Sequence, residues 1–310
     1  MLAAAAAGCG AGGKQETESA SSAEVSSRES TEEASSGEKL PDAESSSEKE
    51  TSSEEASSEA AEEFRFVDAH GEWFDAVLDP DAPRHAYDWS KLKASGERLS
   101  YEDEGYQMHF GIDVSHHQGK IDWEKAAAAG VEFAIIRIAY RGYGESGNLL
   151  ADKTAAANLD GAAAAGIAAG VYVFSQAINE EEAREEARFV LELLDGRELG
   201  LPVVFDPELI RDDTARTDDV TGEQFTANTR EFCRVISEAG YRPMIYANMF
   251  WEAFLLDMTE LADIPVWYAD YEPAPQTPYG FEFWQYSESG SVPGIDGPVD
   301  LDVWFEKTSG

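Results

Sequence analysis

The 310 residues carry 62 acidic and 23 basic side chains, a net charge of −39, so a nucleic-acid backbone or an anionic membrane surface would repel the chain. That length allows one large domain with appendages, and two cysteines are too few for a disulfide framework, so folding must rest on an apolar core.

The chain opens "MLAAAAAGCG". Leu2 to Ala7 is too short to span a bilayer and lacks a basic start, but Ala6-Ala7-Gly8-Cys9 resembles a bacterial lipobox, in which the cysteine after the cleaved bond carries lipid. Residues 1–9 are therefore read as the remainder of a lipoprotein signal, with Cys9 the lipidation site. Between residues 10 and 63 stand 16 acids, 4 bases and 15 serines, with no aromatic residue. Such a composition cannot bury enough apolar surface to offset its chain entropy, which predicts a disordered tether with a random-coil span of roughly 40 Å. The expected location is the outside of a bacterial cell, with the membrane touched only through the lipid. Residues 64–109 include Trp73, Phe74, Trp89 and Tyr101, which predict a folded extension packed on the domain that follows.

From Phe110 short β-branched or aromatic runs alternate with helical patterns. "FGIDVS" reads as a strand, and "DWEKAAAAG" as a short helix capped by Asp122 and stopped by Gly130. "FAIIRIAY" is a second strand, "ADKTAAANLDGAAAAG" a helix, "AGVYVFSQA" a third strand. "NEEEAREEARFVLELLDG" is a helix capped by Asn179 with acids in its first turn. "LPVVFDPE", "TGEQFTANTREFCRVISEAG", "RPMIYAN" and "WEAFLLDMTELAD" continue the alternation, with Cys233 a small apolar residue in its helix core. "IPVWYADYE", "FEFWQYSES" and "VDLDVWF" then follow as strands without helices. Five strand-helix units predict a parallel α/β sheet, and eight strands can close into a TIM-like barrel over residues 110–306.

Such barrels keep their chemistry at the C-terminal strand ends. Asp113, Arg137, Tyr140, Ser175, Gln176, Asp206, Glu208, Tyr246, Asn248, Tyr268, Asp270 and Gln285 all fall there. In "VVFDPE", Asp206 and Glu208 are two apart on a strand, so they share a face roughly 6.6 Å apart along the chain. Like charges that close push their pKa values apart, which separates an acid from a base. Asp113, Asp206 and Glu208, with Tyr140, Tyr172, Phe174, Tyr246, Trp267, Tyr268, Trp284 and Tyr286 around them, suit glycosidic bond cleavage, in which one carboxyl protonates the leaving oxygen and another supports the oxocarbenium charge. Clustered acids also suit Mg²⁺ or Ca²⁺. His116 and His117 are not expected to form a zinc pair, because neighbours on a strand point to opposite faces.

The segments "FGIDVSHHQGKIDW", "GVYVFSQAINEEEAREEA", "LPVVFDPE", "YRPMIYAN", "VWYADY" and "FWQYSESGSVPGIDGPVDLDVW" resemble family 25 of the glycoside hydrolases, the muramidase-type lysozymes, in order from about Phe110 to Trp304. The resemblance implies an irregular β/α barrel with five helix units and three final strands. It also implies hydrolysis of the β-1,4 bond from N-acetylmuramic acid to N-acetylglucosamine in peptidoglycan, without metal or organic cofactor. By motif Glu208 would be the general acid, Asp113 and Asp206 supporting carboxylates, and Asp300 of "PVDLD" a further group lining the site. Tyr140, Tyr172, Tyr246, Tyr268 and Gln285 are the remaining candidates for substrate contact. The middle residue of D-x-E, commonly bulky in relatives, is Pro207, which lacks an N–H for the sheet ladder. A monomer is expected. The alternatives are a wall-binding lipoprotein without turnover, or a glycosidase acting on another polysaccharide.

Overall fold

The computed structural model describes residues 62–308 apart from residue 212, so Cys9 and the segment read as a tether lie outside the described residues, save Glu62 and Glu63, which already belong to a strand. The N-terminal extension forms two hairpins, β1 (Glu62–Val67) with β2 (Trp73–Leu78), and β3 (Leu92–Ser95) with β4 (Arg98–Tyr101). The chain then runs β5 (Tyr106–Val114), α1 (Trp123–Ala128), β6 (Phe133–Arg141), β7 (Leu149–Ala151), α2 (Ala155–Ala164) and β8 (Ala168–Ser175). It continues through α3 (Glu180–Leu194), β9 (Val203–Pro207), α4 (Gly222–Glu238), β10 (Pro243–Asn248) and α5 (Met249–Phe254), and ends with β11 (Val266–Ala269), β12 (Phe283–Gly290) and β13 (Val299–Lys307).

The helices begin and end where the sequence places their signals. Asp122 accepts the N–H of Lys125, and Asn179 accepts that of Glu182. Glu180, Glu181 and Glu182 also meet the positive end of the α3 dipole. Gly130 ends the α1 segment at φ +93°, a conformation costly for any residue with a Cβ. The fifth helix departs from expectation: it starts earlier, at Met249, and stops at Phe254, leaving residues 258–263 as turns. Asn248 ends β10 and also caps α5 through the N–H of Trp251, so no linker residue separates strand from helix. Among the described residues no helix is long and apolar enough to cross a membrane.

Eight strands close into a barrel in the order β5-β13-β12-β11-β10-β9-β8-β6, with β6 pairing back to β5. The neighbours from β5 through β6 and β8 to β12 are parallel, whereas β13 is antiparallel to both β12 and β5. The five strand-helix units predict parallel strands, and the reversal falls among the three strands that follow them. Only residues 291–298 join β12 to β13, too few for the crossover that a parallel strand would need, so the chain doubles back. Side-chain alternation sorts the barrel into two layers. Phe133, Ile135, Leu201, Val204, Met244, Tyr246, Trp267, Ala269 and Phe283 fill the inside. Their neighbours pack outward against the helices and the N-terminal hairpins, in a layer that includes Cys233. The inside is tight enough to require glycine at position 111, where a Cβ would lie 2.3 Å from the Phe133 ring. Tyr87, Trp89, Tyr101, Phe281 and Phe305 form an aromatic cluster that seats the extension on β13.

Candidate active site

Asp113 lies near the end of β5, and the reversal of β13 puts the start of that strand at the same mouth of the barrel. Asp300 is the register partner of Asp113, and Asp302, two residues on, shares its face. Asp206 stands at the end of β9, and Glu208 follows it past Pro207 at the rim, half-buried where Asp113, Asp206 and Asp302 are buried. Pro207 pairs with Ser175 as the last residue of its strand, so its missing N–H interrupts nothing beyond it.

A hydrogen-bond network holds the floor of this mouth. Gln285 donates through Nε2 to Oδ2 of Asp113 at 2.7 Å, and its Oε1 accepts the hydroxyls of Tyr246 and Tyr271, each at 2.9 Å. Trp267 donates its indole N–H to Asp302 at 2.8 Å, with its ring 4.8 Å from that of Tyr246 and 6.0 Å from that of Tyr172. The Arg137 guanidinium lies 5.1 Å over the Tyr140 ring and bonds to Asp152 at 3.0 Å and to Nδ1 of His116. The backbone of Glu208 is held separately. Its carbonyl accepts from Nε2 of Gln176 at 2.6 Å, Gln176 in turn accepts from the Thr217 hydroxyl, and the neighbouring Arg216 pairs with both oxygens of Glu182.

Burial raises every carboxyl of the cluster, and the network decides which ionises first. Asp113 rises to about 6 through burial, held back by the donor of Gln285 and by hydrogen bonds from Asp302 and Asp300. Asp300 is pushed up to about 9 by burial and by the charge of Asp113, and Asp302 well above the usual range for the same reasons. Asp206 is raised by burial, then by Glu208 and Asp113, and its Oδ1 has no hydrogen-bond partner. Glu208 rises to about 7 through burial and the charge of Asp113, against the pull of Arg137. Asp113, with three side chains donating to it, is thus the carboxyl best placed to carry the charge, and burial together with that charge favours the proton on Asp300, Asp302, Asp206 and Glu208. Against burial, the N–H and hydroxyl of Thr154 and the N–H of His116 hold Asp152 at about 2, so it partners Arg137 as a fixed anion.

These shifts set a pH dependence for folding. A carboxyl with a raised native pKa keeps a proton that the unfolded chain has already lost, so stability falls as pH rises from the unfolded toward the native value. Asp113, Glu208 and Asp300 act in this sense, as do buried Glu186 and Glu252, raised by burial to about 7 and about 8. The melting temperature is expected to decline from about pH 5 to about pH 9, and Asp300→Asn to flatten that decline. A calorimetric series in which the melting temperature stays level or climbs would contradict it.

Of the residues singled out in the sequence, Asp113, Asp206, Glu208, Asp300, Tyr172, Tyr246 and Gln285 meet at this mouth, with Tyr140 beside Arg137. Tyr268 does not join them. It points into the outer layer, where its hydroxyl donates to Asp270, and strand alternation sends Trp284 and Tyr286 outward too. Asp302, Trp267 as a hydrogen-bond donor, Tyr271 and the Arg137–Asp152 pair complete the site. Asp302 escapes a rule that looks for polar residues at strand ends, because on a reversed strand the reactive mouth lies at the beginning. The signal for it was the D-x-D spacing from Asp300. His116 and His117 sit on a short 3-10 turn rather than a strand, with ring centroids 4.1 Å apart, so the opposite-faces argument does not apply to them. Among the described residues no group of three or more His, Cys, Asp or Glu is arranged to hold a metal ion.

The model of the family "Glycosyl hydrolases family 25" matches residues 112–295. The chain is 28% identical over 197 residues to the autolytic lysozyme of Clostridium acetobutylicum, covering 63% of this chain and 56% of that protein. Among solved structures it is similar to the modular autolysin LytC from Streptococcus pneumoniae in complex with a synthetic peptidoglycan ligand, at a TM-score of 0.57 and 25% identity over 77% of this chain and 56% of that one. The bacterial lysozyme from Streptomyces coelicolor aligns at a TM-score of 0.51 and 27% identity, covering 63% of this chain and 90% of that one. The match thus spans little more than half the length of the first two relatives.

Proposed function

We propose that this chain, which belongs to glycosyl hydrolases family 25, hydrolyses the β-1,4 bond between N-acetylmuramic acid and N-acetylglucosamine in peptidoglycan. The observation that carries the reading is the meeting of Asp113, Asp206, Asp300 and Glu208 at one barrel mouth, with Asp113 held by the donor of Gln285 and Glu208 at the rim, where burial and the charge of Asp113 favour its proton. Cleavage of a glycosidic bond needs both: a proton for the leaving oxygen and a negative charge beneath the oxocarbenium ion. Glu208, at the rim, gives the proton to the leaving oxygen. Asp113, held in place by Gln285, stabilises the positive charge on the sugar carbon as the bond breaks, and protonated Asp300 and Asp302 keep that anion oriented. The unpartnered Oδ1 of Asp206 is where a hydroxyl or amide N–H of the sugar completes a hydrogen bond. Tyr140, Tyr172 and Tyr246 offer apolar faces with polar tips, a combination suited to sugar rings. Water then bonds through its oxygen to the sugar carbon and gives a proton to the Glu208 carboxylate, which restores the acid.

Purified protein should release reducing ends from isolated peptidoglycan. Binding without release would instead favour a wall-binding protein, and release only from other polysaccharides a different glycosidase. Similarity to an autolytic lysozyme and to a modular autolysin supports action in the cell envelope or outside the cell. There the folded residues from 62 onward would work at the end of the acidic segment, tethered through lipid on Cys9. One acyl chain binds membranes only marginally, whereas two or more anchor stably. Cys9→Ala, expressed in the native host with the complete precursor, is expected to move the enzyme from the membrane fraction to the medium, or to leave the precursor uncleaved. Equal solubility of wild type and variant on fractionation would remove the anchor.

A further inference from the structure

The hairpin of β1 and β2 lies outside the residues matched by the family, yet it is fastened to the catalytic mouth at three points. Val67 donates its N–H to Oε1 of Gln276 at 2.9 Å and accepts from Nε2 of the same side chain at 2.8 Å. Gln276 is bonded through its own N–H to Asp270, the neighbour of Tyr271 in the site. On the other side Asp68, in the hairpin turn, accepts from Arg211 at 2.8 Å, three residues beyond Glu208. Beneath, the Phe74 ring packs edge-on at 5.2 Å against Phe250 of α5, the helix that starts directly at the end of β10. The turn therefore bridges the loops that follow β9 and β11, across the sector of β10.

At this place the hairpin presents Trp73, the register partner of Val67, with 61% of its surface exposed. Strand alternation puts Trp73 on the solvent face of the hairpin together with Val77, 62% exposed, while Phe66 and Leu78 on the other face are fully buried. Arg65 braces the ring, its guanidinium 5.3 Å from the centroid. Leu209, next to Glu208, is a second exposed apolar side chain on the same rim.

We propose that Trp73 forms a further saccharide subsite, on which a sugar ring of the glycan strand stacks after leaving the carboxylate mouth. The ligand is a chain of β-linked N-acetylhexosamines long enough to occupy both places. The proposal rests on the reading of the mouth as a glycan-cleaving site. The subsite extends the cleft past the family core, so its contribution grows with the length of the substrate. An aromatic stack of ordinary strength corresponds to a change of up to about tenfold.

The test compares wild type with Trp73→Ala on soluble peptide-free glycan strands and on a peptidoglycan tetrasaccharide. The variant is expected to lose about tenfold more in kcat/KM on the strands than on the tetrasaccharide, through KM rather than kcat, with Trp73→Phe restoring most of the loss. Equal losses on both substrates, or no loss on either, would overturn the subsite. Calorimetric binding of the same strands to Glu208→Gln, with and without Trp73→Ala, decides independently of turnover. If the wild type cleaves neither substrate, the proposed activity fails, but a strand affinity that depends on Trp73 still upholds the subsite, and one that does not refutes it.

Discussion

Glu208→Gln is expected to abolish release of sugar from peptidoglycan while leaving the melting profile close to that of the wild type. An amide matches the carboxyl in shape but has no proton to give to the leaving oxygen, and a positioned general acid is worth roughly 10² to 10⁴ in rate. Folding should survive because Glu208 is half-buried at the rim, and what binds the position is its backbone carbonyl, held by Gln176. Removing a carboxyl whose pKa is raised to about 7 also removes a small cost to stability above that pH. Activity close to wild type, in a variant that melts normally, would mean that another group supplies the proton.

Asp113→Asn is expected to lose about 10² to 10³ in kcat, since the anion beneath the developing positive charge disappears. A second effect has a definite sign. The charge of Asp113 helps to keep the proton on Glu208, so its removal lowers the Glu208 pKa, and the alkaline fall of the residual activity moves to lower pH. Arg137→Gln removes a charge that pulls the other way and should move the same fall to higher pH. Profiles of kcat/KM against pH for the two variants and the wild type measure both shifts. Shifts in the same direction, or none, would contradict the electrostatic assignment. A site whose pH limb belonged to another group would leave it in place in both variants.

The barrel was legible because its strands and helices announce themselves locally. Asp122 and Asn179 start helices, Gly130 ends one, and apolar runs such as "FAIIRIAY" have the length of buried strands. The fifth helix was misjudged because the pattern of "WEAFLLDMTELAD" continues past its true end at Phe254, where tertiary packing replaces the helix with turns. The buried carboxyls of β5 and β9 were legible as polar residues closing apolar runs. Two kinds of difference have separate origins, the phase of alternation along a strand and the direction in which a strand enters the sheet. Tyr268, Trp284 and Tyr286 are one position out of phase with Trp267 and Gln285, so they face the helix layer and not the carboxylate mouth. Asp302 was missed because the direction of β13 is a property of its connection, and nothing in "VDLDVWF" reports that the strand enters the sheet reversed. The network through Gln285, Tyr246 and Tyr271 was beyond reach for a third reason. It joins side chains of three separate elements, and spacing along the chain carries no record of such a meeting.

The most direct test of the central claim is the identity of the sugar at each newly made end. Peptidoglycan digested by the purified protein is reduced with borohydride, and the released muropeptides are identified by mass spectrometry. The reduced sugar is expected to be N-acetylmuramic acid in digests by the wild type, and no such products are expected with Glu208→Gln. Reduced N-acetylglucosamine, or intact strands after digestion by folded wild-type protein, would contradict the claim.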